Sequence, residues 1–355
     1  MKIFMVHEDP WHAGNPYIYT LIEELQRQHM DCVVSWGRDL FWSDEIYKYD
    51  IVHFHWPQAF MAGDSHSEKD LKDHIEQMSI KGVRIVSTCH DLEPHYKQCS
   101  EYAASIQIVY SHCDTIFHLG AYSKSLFEEK YPNTRHLLLP HHVYDTVYTT
   151  FPNRDQSLTY LKLPKDKKYI LCFGAFRGDE ERKLVINLYK QLKTEKIAIL
   201  APGFMDVRPS KKTIGGFVDR IKKYYYQYRY HIYCSGKTFA PISDAELPYY
   251  YGASDIAFIQ RLKILNSGNA IMPLLMKKVV VGPNTGNVGF FLKSCRYPLF
   301  DINNLDNIHL SVEEGMKMRF SNIIEDNYET ALRDFSTKII SEKLFNYYEL
   351  LLKNI

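Results

Sequence analysis

Histidines and acidic residues follow several apolar runs in the first half of the chain. One segment, STCHDLEPHYKQC at residues 87–99, holds two histidines, two cysteines, an aspartate and a glutamate. The residues of this kind that follow apolar runs are His53, His55, His90, Asp91, Glu93, His118 and His141. Neutral imidazoles and carboxylates bind sugar hydroxyls and move protons near pH 7. The pattern therefore predicts a functional edge lined by these side chains.

A metal site is the alternative interpretation of this edge. His53 and His55 are two residues apart on a predicted strand and share one face, where His90 and Asp91 could join them. Zinc sites usually show signatures such as H-x-x-x-H on a helix or C-x-x-C in a knuckle, and this segment shows neither. We therefore expect these residues to hold no metal, and their residue types fit either the binding of sugar hydroxyls or the transfer of protons.

Cationic and small residues take the corresponding positions in the second half. The segment FGAFRGDEERK places Arg177, Arg182 and Lys183 directly after a predicted strand. The segments QRLKILNSGNA and GPNTGNVG add Arg261, Lys263, Asn266, Ser267, Gly268 and Thr285 near the starts of helices. Helix starts and arginines both favour anions with several oxygens. These strand ends together predict a diphosphate site, although neither a P-loop lysine motif nor a G-x-G-x-x-G is present.

A third segment combines aromatic residues with cations. It reads KKYYYQYRYHIY at residues 222–233. Such interleaving can bind single-stranded nucleic acid or a lipid surface. The simpler interpretation, which we favour, is the end of an amphipathic helix followed by a strand.

Apolar runs alternate with amphipathic stretches along the chain and predict the elements that carry both edges. The expected strands are 2–6, 31–35, 50–54, 83–88, 114–117 and 137–139, then 169–174, 197–202, 231–236, 255–260 and 279–283. Such alternation is typical of an α/β protein with parallel sheets, which bind ligands outside the carboxyl ends of their strands. We therefore expect two Rossmann-like domains.

The domain boundary is expected near residue 150. A chain of 355 residues is long enough for two cores, and the polar, weakly periodic segment 144–168 is typical of a linker. Apolar residues at helical spacing follow at 323–353. We predict an N-terminal domain over 1–150, a C-terminal domain over 151–322, and a C-terminal helix over 323–355 that braces the two.

Composition argues against several other classes of protein. With 43 Lys and Arg against 42 Asp and Glu, the formal charge of +1 gives no field that would attract nucleic acid. The seven cysteines are scattered and odd in number, which fits reduced thiols in a cytoplasmic protein. The N-terminus is unlike a signal peptide, and no apolar run is long enough to span a membrane. We expect a cytoplasmic protein, with at most a peripheral contact at the inner face of the membrane.

An ordered set of motifs resembles a known family over nearly the whole chain. The segments DIVHFHWP, STCHDLEPH, LPHHVYDTVY, CFGAFRGDEERK and ILNSGNAIMPLLMKKVVVGPNTGNVG are similar to segments of GT-B-fold glycosyltransferases. The similarity is greatest to family 4 and to mannosyltransferase-like enzymes of bacterial capsule, exopolysaccharide and O-antigen synthesis. It implies two Rossmann-like domains that face each other across a cleft. It also implies metal-independent transfer of a hexose from a UDP- or GDP-sugar, without a cofactor, to a saccharide or lipid-linked saccharide.

The resemblance also implies roles for individual residues. The first domain would hold the acceptor and the second the donor. His90 and Asp91 would face the reacting sugar, while Arg177 and Lys183 would contact the donor phosphates. The expected acceptor-binding residues are His53, His55, Glu93, His118 and His141. The expected donor-binding residues are Arg182, Arg261, Asn266, Ser267, Gly268 and Thr285.

Two features depart from the family pattern. Lys183 stands six residues after Arg177, whereas the family spacing is three. Ile264 and Met272 occupy the positions of a family 4 glutamate pair, so the contact to the donor ribose has no assigned residue. We expect retention of configuration rather than inversion. The alternatives are a non-enzymatic two-lobe protein that binds sugars or nucleotides, and an enzyme that modifies sugar nucleotides.

Overall fold

The chain forms two compact units in a computed structural model. The structure describes residues 1–12, 14–92, 102–192, 194–205, 214–234 and 242–353. Unit 1 comprises Met1–Tyr144 and Asp334–Ile355, and unit 2 comprises Asp145–Arg333. The C-terminal part of the chain therefore belongs to the same unit as the N-terminus.

Unit 1 is built on a parallel sheet of six strands. They are β1 (Lys2–Val6), β2 (Val33–Ser35), β3 (Ile51–Phe54), β4 (Arg84–Cys89), β5 (Thr115–His118) and β6 (Arg135–Leu138). Their order is β2-β1-β3-β4-β5-β6, and every neighbouring pair is parallel. All residues of β3 and β5 are buried, as is usual where both faces of a parallel sheet are covered. The strand order reverses between β1 and β3, which is where such sheets bind ligands.

The described part of unit 1 contains seven α-helices and two short 3-10 helices, Pro10–His12 and Asp44–Lys48. The α-helices are α1 (Tyr17–Gln28), α2 (Arg38–Phe41), α3 (Pro57–Met61), α4 (Glu68–Ile80), α5 (Ala103–His112), α6 (Ala121–Lys130) and α15 (Thr337–Lys353). A capping box of Ser67 and Asp70 starts α4, where each side chain binds the other residue's backbone N–H. The buried side of α15 carries Ile340, Leu344 and Tyr348, and this helix packs against α1. The C-terminal helix thus completes the core of unit 1.

Unit 2 has a second parallel sheet of six strands. They are β7 (Lys168–Leu171), β8 (Ile197–Leu200), β9 (Ile232–Tyr233), β10 (Ile256–Phe258), β11 (Val280–Pro283) and β12 (Leu299–Phe300). Their order is β12-β11-β10-β7-β8-β9, and the paired strands are parallel. This is the strand order of the Rossmann fold, with its switch point between β7 and β10.

The described α-helices that begin within unit 2 lie before, between and after these strands in the sequence. They are α7 (Arg154–Leu161), α8 (Asp179–Leu192), α9 (Ile214–Tyr230), α10 (Leu247–Ala253), α11 (Gly268–Leu275), α12 (Gly286–Ser294), α13 (Ile308–Met318) and α14 (Ile323–Phe335). Among the helices described in either unit, none has both the length and the apolar composition needed to cross a membrane.

The predicted fold class is confirmed, because the structure contains two parallel α/β sheets with alternating helices. Each predicted strand is present, and β12 is an additional short strand. The segment expected to be a linker contains α7, which starts at a capping box of Asn153 and Gln156. A polar sequence can therefore still form a helix when its ends are capped.

The prediction of one continuous helix over 323–355 is wrong. The structure has two helices, α14 and α15, with Ser336 between them. Ser336 Oγ accepts a hydrogen bond of 3.4 Å from the backbone N–H of Ile339, so it caps a new helix. The assignment of acceptor and donor to the two predicted domains stays a prediction.

Candidate functional site

The strand ends of unit 1 gather a cluster of histidines around Tyr17 of α1. We call it the histidine cluster, and its members are His53, His55, His90, His141 and His142. The centroid of the Tyr17 ring lies 5.8 Å from His55, 5.0 Å from His90, 4.7 Å from His141 and 4.9 Å from His142. His53 stacks on His55 at 4.2 Å. Residues from distant parts of the sequence therefore meet at one edge of the sheet.

His55 and His90 form the centre of this cluster. His55 follows β3 and His90 follows β4, and His55 Nδ1 lies 3.0 Å from His90 Nε2. Trp56 stacks on the His90 ring at 4.0 Å with an interplanar angle of 23°. His90 and Asp91 are 6% and 8% exposed, respectively. The predicted catalytic pair is thus held between the strand ends, in contact with aromatic rings.

Two of the predicted acceptor histidines have both ring nitrogens engaged inside unit 1. His53 Nδ1 lies 2.5 Å from Tyr348 Oη, and His53 Nε2 lies 2.8 Å from Thr88 Oγ1. His118 Nδ1 lies 3.2 Å from Ser123 Oγ, and its Nε2 lies 3.0 Å from His136 Nδ1. These contacts tie the side chains of His53 and His118 into unit 1, and their role in acceptor binding stays a prediction.

Burial keeps His55, His118 and His141 neutral at pH 7. It lowers the pKa of His55 to about 3, and the neighbouring His7 adds to this shift. Burial and the nearby His136 and Lys124 lower the pKa of His118 to about 3. Burial lowers the pKa of His141 to about 4, against a small opposing effect of its hydrogen bond to the His142 carbonyl. A neutral imidazole carries one donor and one acceptor, which suits it to bind hydroxyl groups.

Two histidine ring nitrogens lie beside the switch point of unit 1, between β1 and β3. His7 follows β1 and His55 follows β3, the two strands that flank this point. His7 Nδ1 and His55 Nε2 are buried, and neither has a hydrogen-bond partner among the described residues. Such atoms are costly when left unpaired. They mark the place in unit 1 where a polar group of a ligand would be favourable.

The other residues predicted at this edge are His141 and Glu93. His141 donates from Nδ1 to the His142 carbonyl at 2.7 Å, and its Nε2 lies 3.1 Å from Tyr144 Oη. Glu93 lies outside the described residues. No group of three or more His, Cys, Asp and Glu side chains in the described part of the chain is placed to hold a metal ion.

In unit 2, an ion pair organises the loop after β7. Arg261 donates from Nε to Glu181 Oε1 at 3.0 Å and from Nη2 to the Ala175 carbonyl at 3.0 Å. The other carboxylate oxygen of Glu181 accepts from the backbone N–H of Arg177 at 2.9 Å. The side chains of Arg261 and Glu181 are 18% and 9% exposed. This buried pair ties the loop that carries Arg177 to the strand end at β10.

The predicted donor-site cations therefore fall into two groups. Arg261 binds Glu181, and Arg182 donates from Nε to the Phe204 carbonyl at 2.8 Å. Arg177 and Lys183 are exposed instead. The contacts of the first two cations position the loops, and the last two differ in that their side chains are exposed.

The starts of α11 and α12 lie against each other at this edge. Ser267 caps α11 by accepting from the backbone N–H of Asn269 at 3.2 Å. Gly286 has φ +57°, and a Cβ there would come within 2.3 Å of the Ile264 carbonyl oxygen. Only glycine allows this approach without strain. Asn287 of α12 donates from Nδ2 to Asn266 Oδ1 at 2.8 Å, which joins the NSG turn to the second helix start.

Charge distinguishes these helix starts from that of α8. The first turn of α8 contains Asp179, Glu180 and Glu181. The first turns of α11 and α12 contain no acidic residue, and Thr285 at the start of α12 makes no side-chain cap. Because a helix start carries partial positive charge, α11 and α12 favour an anion and the acids of α8 oppose one. Gly268 and Thr285 thus lie where a phosphate would be favourable.

Sequence reasoning missed three residues that shape these edges. Glu181 holds Arg261, and Asn269 donates from Nδ2 to the Phe173 carbonyl at 2.8 Å beside the β7 strand end. Tyr17 is fully buried within the histidine cluster. Only Asn269 had a signal, because it directly follows the NSG turn. Tyr17 and Glu181 look like ordinary residues of amphipathic helices.

The whole chain is similar in fold to several solved structures. The sucrose-phosphate synthase from Thermosynechococcus elongatus matches with a TM-score of 0.72 at 14% identity, over 100% of both chains. HepE from Anabaena in complex with UDP matches with a TM-score of 0.63 at 12% identity, over 98% of this chain and 100% of HepE. A UDP-N-acetylglucosamine 2-epimerase, named as putative, from Listeria monocytogenes matches with a TM-score of 0.61 at 12% identity, over 100% and 97%. This likeness identifies the fold as GT-B.

Comparisons by sequence give no corresponding result. No family model matches the chain, and no curated protein matches it.

Proposed function

We propose that this chain is a glycosyltransferase that moves a hexose from a nucleotide sugar to a saccharide or lipid-linked saccharide. The observation that carries the proposal is the switch point of unit 2. Two adjoining helix starts without acids, α11 and α12, lie at the same sheet edge as the loop with Arg177. Open α/β sheets bind nucleotides at this position. The neighbour HepE, whose structure contains UDP, has the same fold.

The proposed donor site binds the diphosphate without a metal. Backbone N–H groups at Gly268 and Gly286 would face the phosphate oxygens, because these residues open α11 and α12. Arg177 and Lys183 would balance the negative charge, since both side chains are exposed. Arg261 and Glu181 would hold the loop in place for Arg177.

The proposed acceptor site lies at the switch point of unit 1. His7 Nδ1 and His55 Nε2 are buried there and lack a partner among the described residues, and a sugar hydroxyl can satisfy such an atom. Trp56 stacks on His90 beside them and adds an aromatic surface. His90 and Asp91 would contact the sugar that reacts.

The chemistry follows from the charges that develop during transfer. Glycosyl transfer passes through an oxocarbenium-like state while negative charge builds on the leaving diphosphate. Preorganised cations and helix starts stabilise that charge. We expect retention of configuration, in which Asp91 holds a sugar hydroxyl. In an inverting reaction Asp91 would remove the acceptor proton.

Asp91→Asn separates these two roles of the carboxylate. The change removes the basic oxygen but keeps the shape and a hydrogen-bonding group. Under retention we expect turnover to fall without a change in the shape of the pH–rate profile. Loss of the acidic limb of that profile in the variant would instead identify Asp91 as the general base.

The finer parts of the proposal come from the family resemblance. They are a role in capsule, exopolysaccharide or O-antigen synthesis, a UDP- or GDP-sugar as donor, and a cytoplasmic location with peripheral contact at the inner membrane face. A donor screen tests the first step: UDP-, GDP- and dTDP-sugars are compared by thermal shift, because a ligand that binds the folded state raises its melting temperature.

A second candidate function is epimerisation of a sugar nucleotide. The likeness to the Listeria monocytogenes protein favours it, because that neighbour is named as a UDP-N-acetylglucosamine 2-epimerase. Incubation of the chain with the donor that stabilises it distinguishes the two activities. A transferase releases the nucleoside diphosphate when acceptor is present, whereas an epimerase converts the sugar nucleotide to its epimer without release.

A further inference from the structure

The tyrosine-rich segment of the sequence borders a groove on unit 2. The groove has a volume of about 840 Å3 and is lined by Tyr189, Glu195, Tyr224, Gln227, Tyr228, Arg229, His231 and Tyr233. We call it the tyrosine groove. Glu195 and His231 precede β8 and β9, so the groove lies toward the amino ends of these strands. The proposed donor site lies at the opposite, carboxyl edge of the same sheet.

Two tyrosines form an exposed aromatic platform. Tyr224 and Tyr228 are 68% and 89% exposed, although both are large aromatic residues. They stand four residues apart on α9, so their rings lie on the same face of the helix. Tyrosine rings provide rigid contact area at low entropic cost. A pyranose ring has an apolar C–H face that can pack on such a surface.

The polar lining of the groove is held in position. His231 Nδ1 lies 2.7 Å from Lys167 Nζ, and it must accept because the ammonium has only donors. The neutral ring therefore carries its proton on Nε2, which is a donor. His231 also has φ +47°, an uncommon backbone conformation for a residue with a side chain. Its ring stacks on Tyr189 at 5.5 Å with an interplanar angle of 15°.

The charges of the groove restrict the class of ligand. Its charged lining residues are Glu195 and Arg229, which cancel. A polyanion such as a nucleic acid would need a cationic surface. A bilayer would need an outward-facing apolar surface, but this groove is concave and carries Gln227 and His231 as well as charged groups. Planar carboxylate, amide and guanidinium groups beside aromatic rings match the hydroxyls and C–H faces of a neutral sugar.

We propose that the tyrosine groove binds a neutral oligosaccharide chain, separately from the donor site. The aromatic platform would pack on successive sugar rings, and Glu195, Gln227, Arg229 and His231 would bind their hydroxyls. The inference goes beyond the proposed function and does not depend on it, because binding at this groove requires no nucleotide.

The test measures oligosaccharide binding to the full chain in the absence of nucleotide. The probes are maltohexaose, laminarihexaose and mannohexaose, each titrated by calorimetry. We expect at least one to bind, and we expect Tyr228→Ala and Tyr224→Ala each to weaken it about tenfold through loss of one stacking surface. Tyr225→Ala is the matched control: this residue is 53% exposed on the same helix and does not line the groove. The affinity of Tyr225→Ala for the hexasaccharide should equal that of the wild type.

Other outcomes would overturn the proposal. One is that none of the three hexasaccharides binds at millimolar concentration. The other is that Tyr228→Ala and Tyr225→Ala bind the hexasaccharide with equal affinity. Cosedimentation with vesicles of phosphatidylcholine and phosphatidylglycerol that Tyr228→Ala abolishes, without saccharide binding, would assign the surface to a membrane instead. Arg177→Ala should leave groove binding unchanged, so a failed donor site is distinguishable from a failed groove.

Discussion

The two units use the same sheet architecture for opposite chemical environments. At the strand ends of unit 1, buried histidines surround Tyr17 and burial lowers their pKa. In unit 2, Arg177 on the loop after β7 and Lys183 on α8 have exposed side chains, and the first turns of α11 and α12 contain no acidic residue. A neutral, enclosed edge suits hydroxyl groups, and an open cationic edge suits phosphates. The comparison indicates that the ends of the strands determine the position of a candidate site, while the burial of its side chains determines which chemical groups suit it.

The largest expected effect is a selective loss of stability of unit 1 in acid. His55 and His118 have a folded pKa of about 3, below their usual value, so the unfolded state binds more protons as the pH falls below about 6.5. The stability they contribute is fully present above pH 6.5 and is lost downward from there, at up to about 1.4 kcal/mol per pH unit for each histidine. Unit 2 contains only His231 and His309.

Hydrogen exchange between pH 7 and pH 5, corrected for the intrinsic rates, measures this difference. Protection in β3 and β5 should fall far more than protection in β10 and β11. His118→Gln should reduce the pH dependence of unit 1, whereas His12→Gln should not, because His12 is 86% exposed. Equal losses of protection in the two units would contradict the contrast.

The next effect concerns the exposed cations of unit 2. Arg177→Ala and Lys183→Ala should each lower turnover about 100-fold, the scale of losing one group that stabilises charge in the transition state. Their melting temperatures should change little, because both side chains are exposed. Steady-state kinetics with the donor from the thermal-shift screen measures the change. Arg296→Ala is the control, since this exposed side chain forms a surface ion pair with Asp326 at 3.3 Å. Wild-type turnover in both variants would remove the donor-site assignment.

A smaller effect is expected at the ion pair of Glu181 and Arg261 in unit 2, whose side chains are largely shielded from solvent, as the histidines of unit 1 are. Glu181→Gln removes the carboxylate that binds Arg261 and the backbone N–H of Arg177. The free energy of unfolding should fall by about 1.5–3 kcal/mol, as for other hydrogen bonds to charged groups. Urea unfolding measures it, and Glu180→Gln at the exposed neighbouring position is the control. Unchanged stability in Glu181→Gln would show that the pair does not organise this loop.

The sequence predicts the strand ends well, because an apolar run between amphipathic stretches has few alternatives in an α/β protein. The positions of His55, His90 and Arg177 at sheet edges therefore follow from the sequence alone. The helix α7 could not be predicted, since its stability depends on the capping box at Asn153 and on packing against α10. Local polarity alone favours a linker there.

The state of each site residue depends on contacts that sequence spacing does not contain. His53 contacts Tyr348 across 295 positions, so the sequence could not separate it from the histidines that are proposed to bind the acceptor. Arg261 and Glu181 are 80 positions apart, and nothing in the sequence spacing indicates the ion pair by which they support the loop. The sequence can thus predict which types of residue lie at the edge of a sheet. Only the folded structure shows which other residues each of them contacts.

The central claim is that the strand ends of unit 2 bind a nucleoside diphosphate. Calorimetric titration of the full chain with UDP and with GDP tests it most directly. One of the two should bind, and its affinity should fall at least about tenfold in Arg177→Ala, as for loss of one hydrogen bond to a charged group, but not in Arg296→Ala. Binding of neither nucleotide, or equal affinity in the wild type and Arg177→Ala, would contradict it.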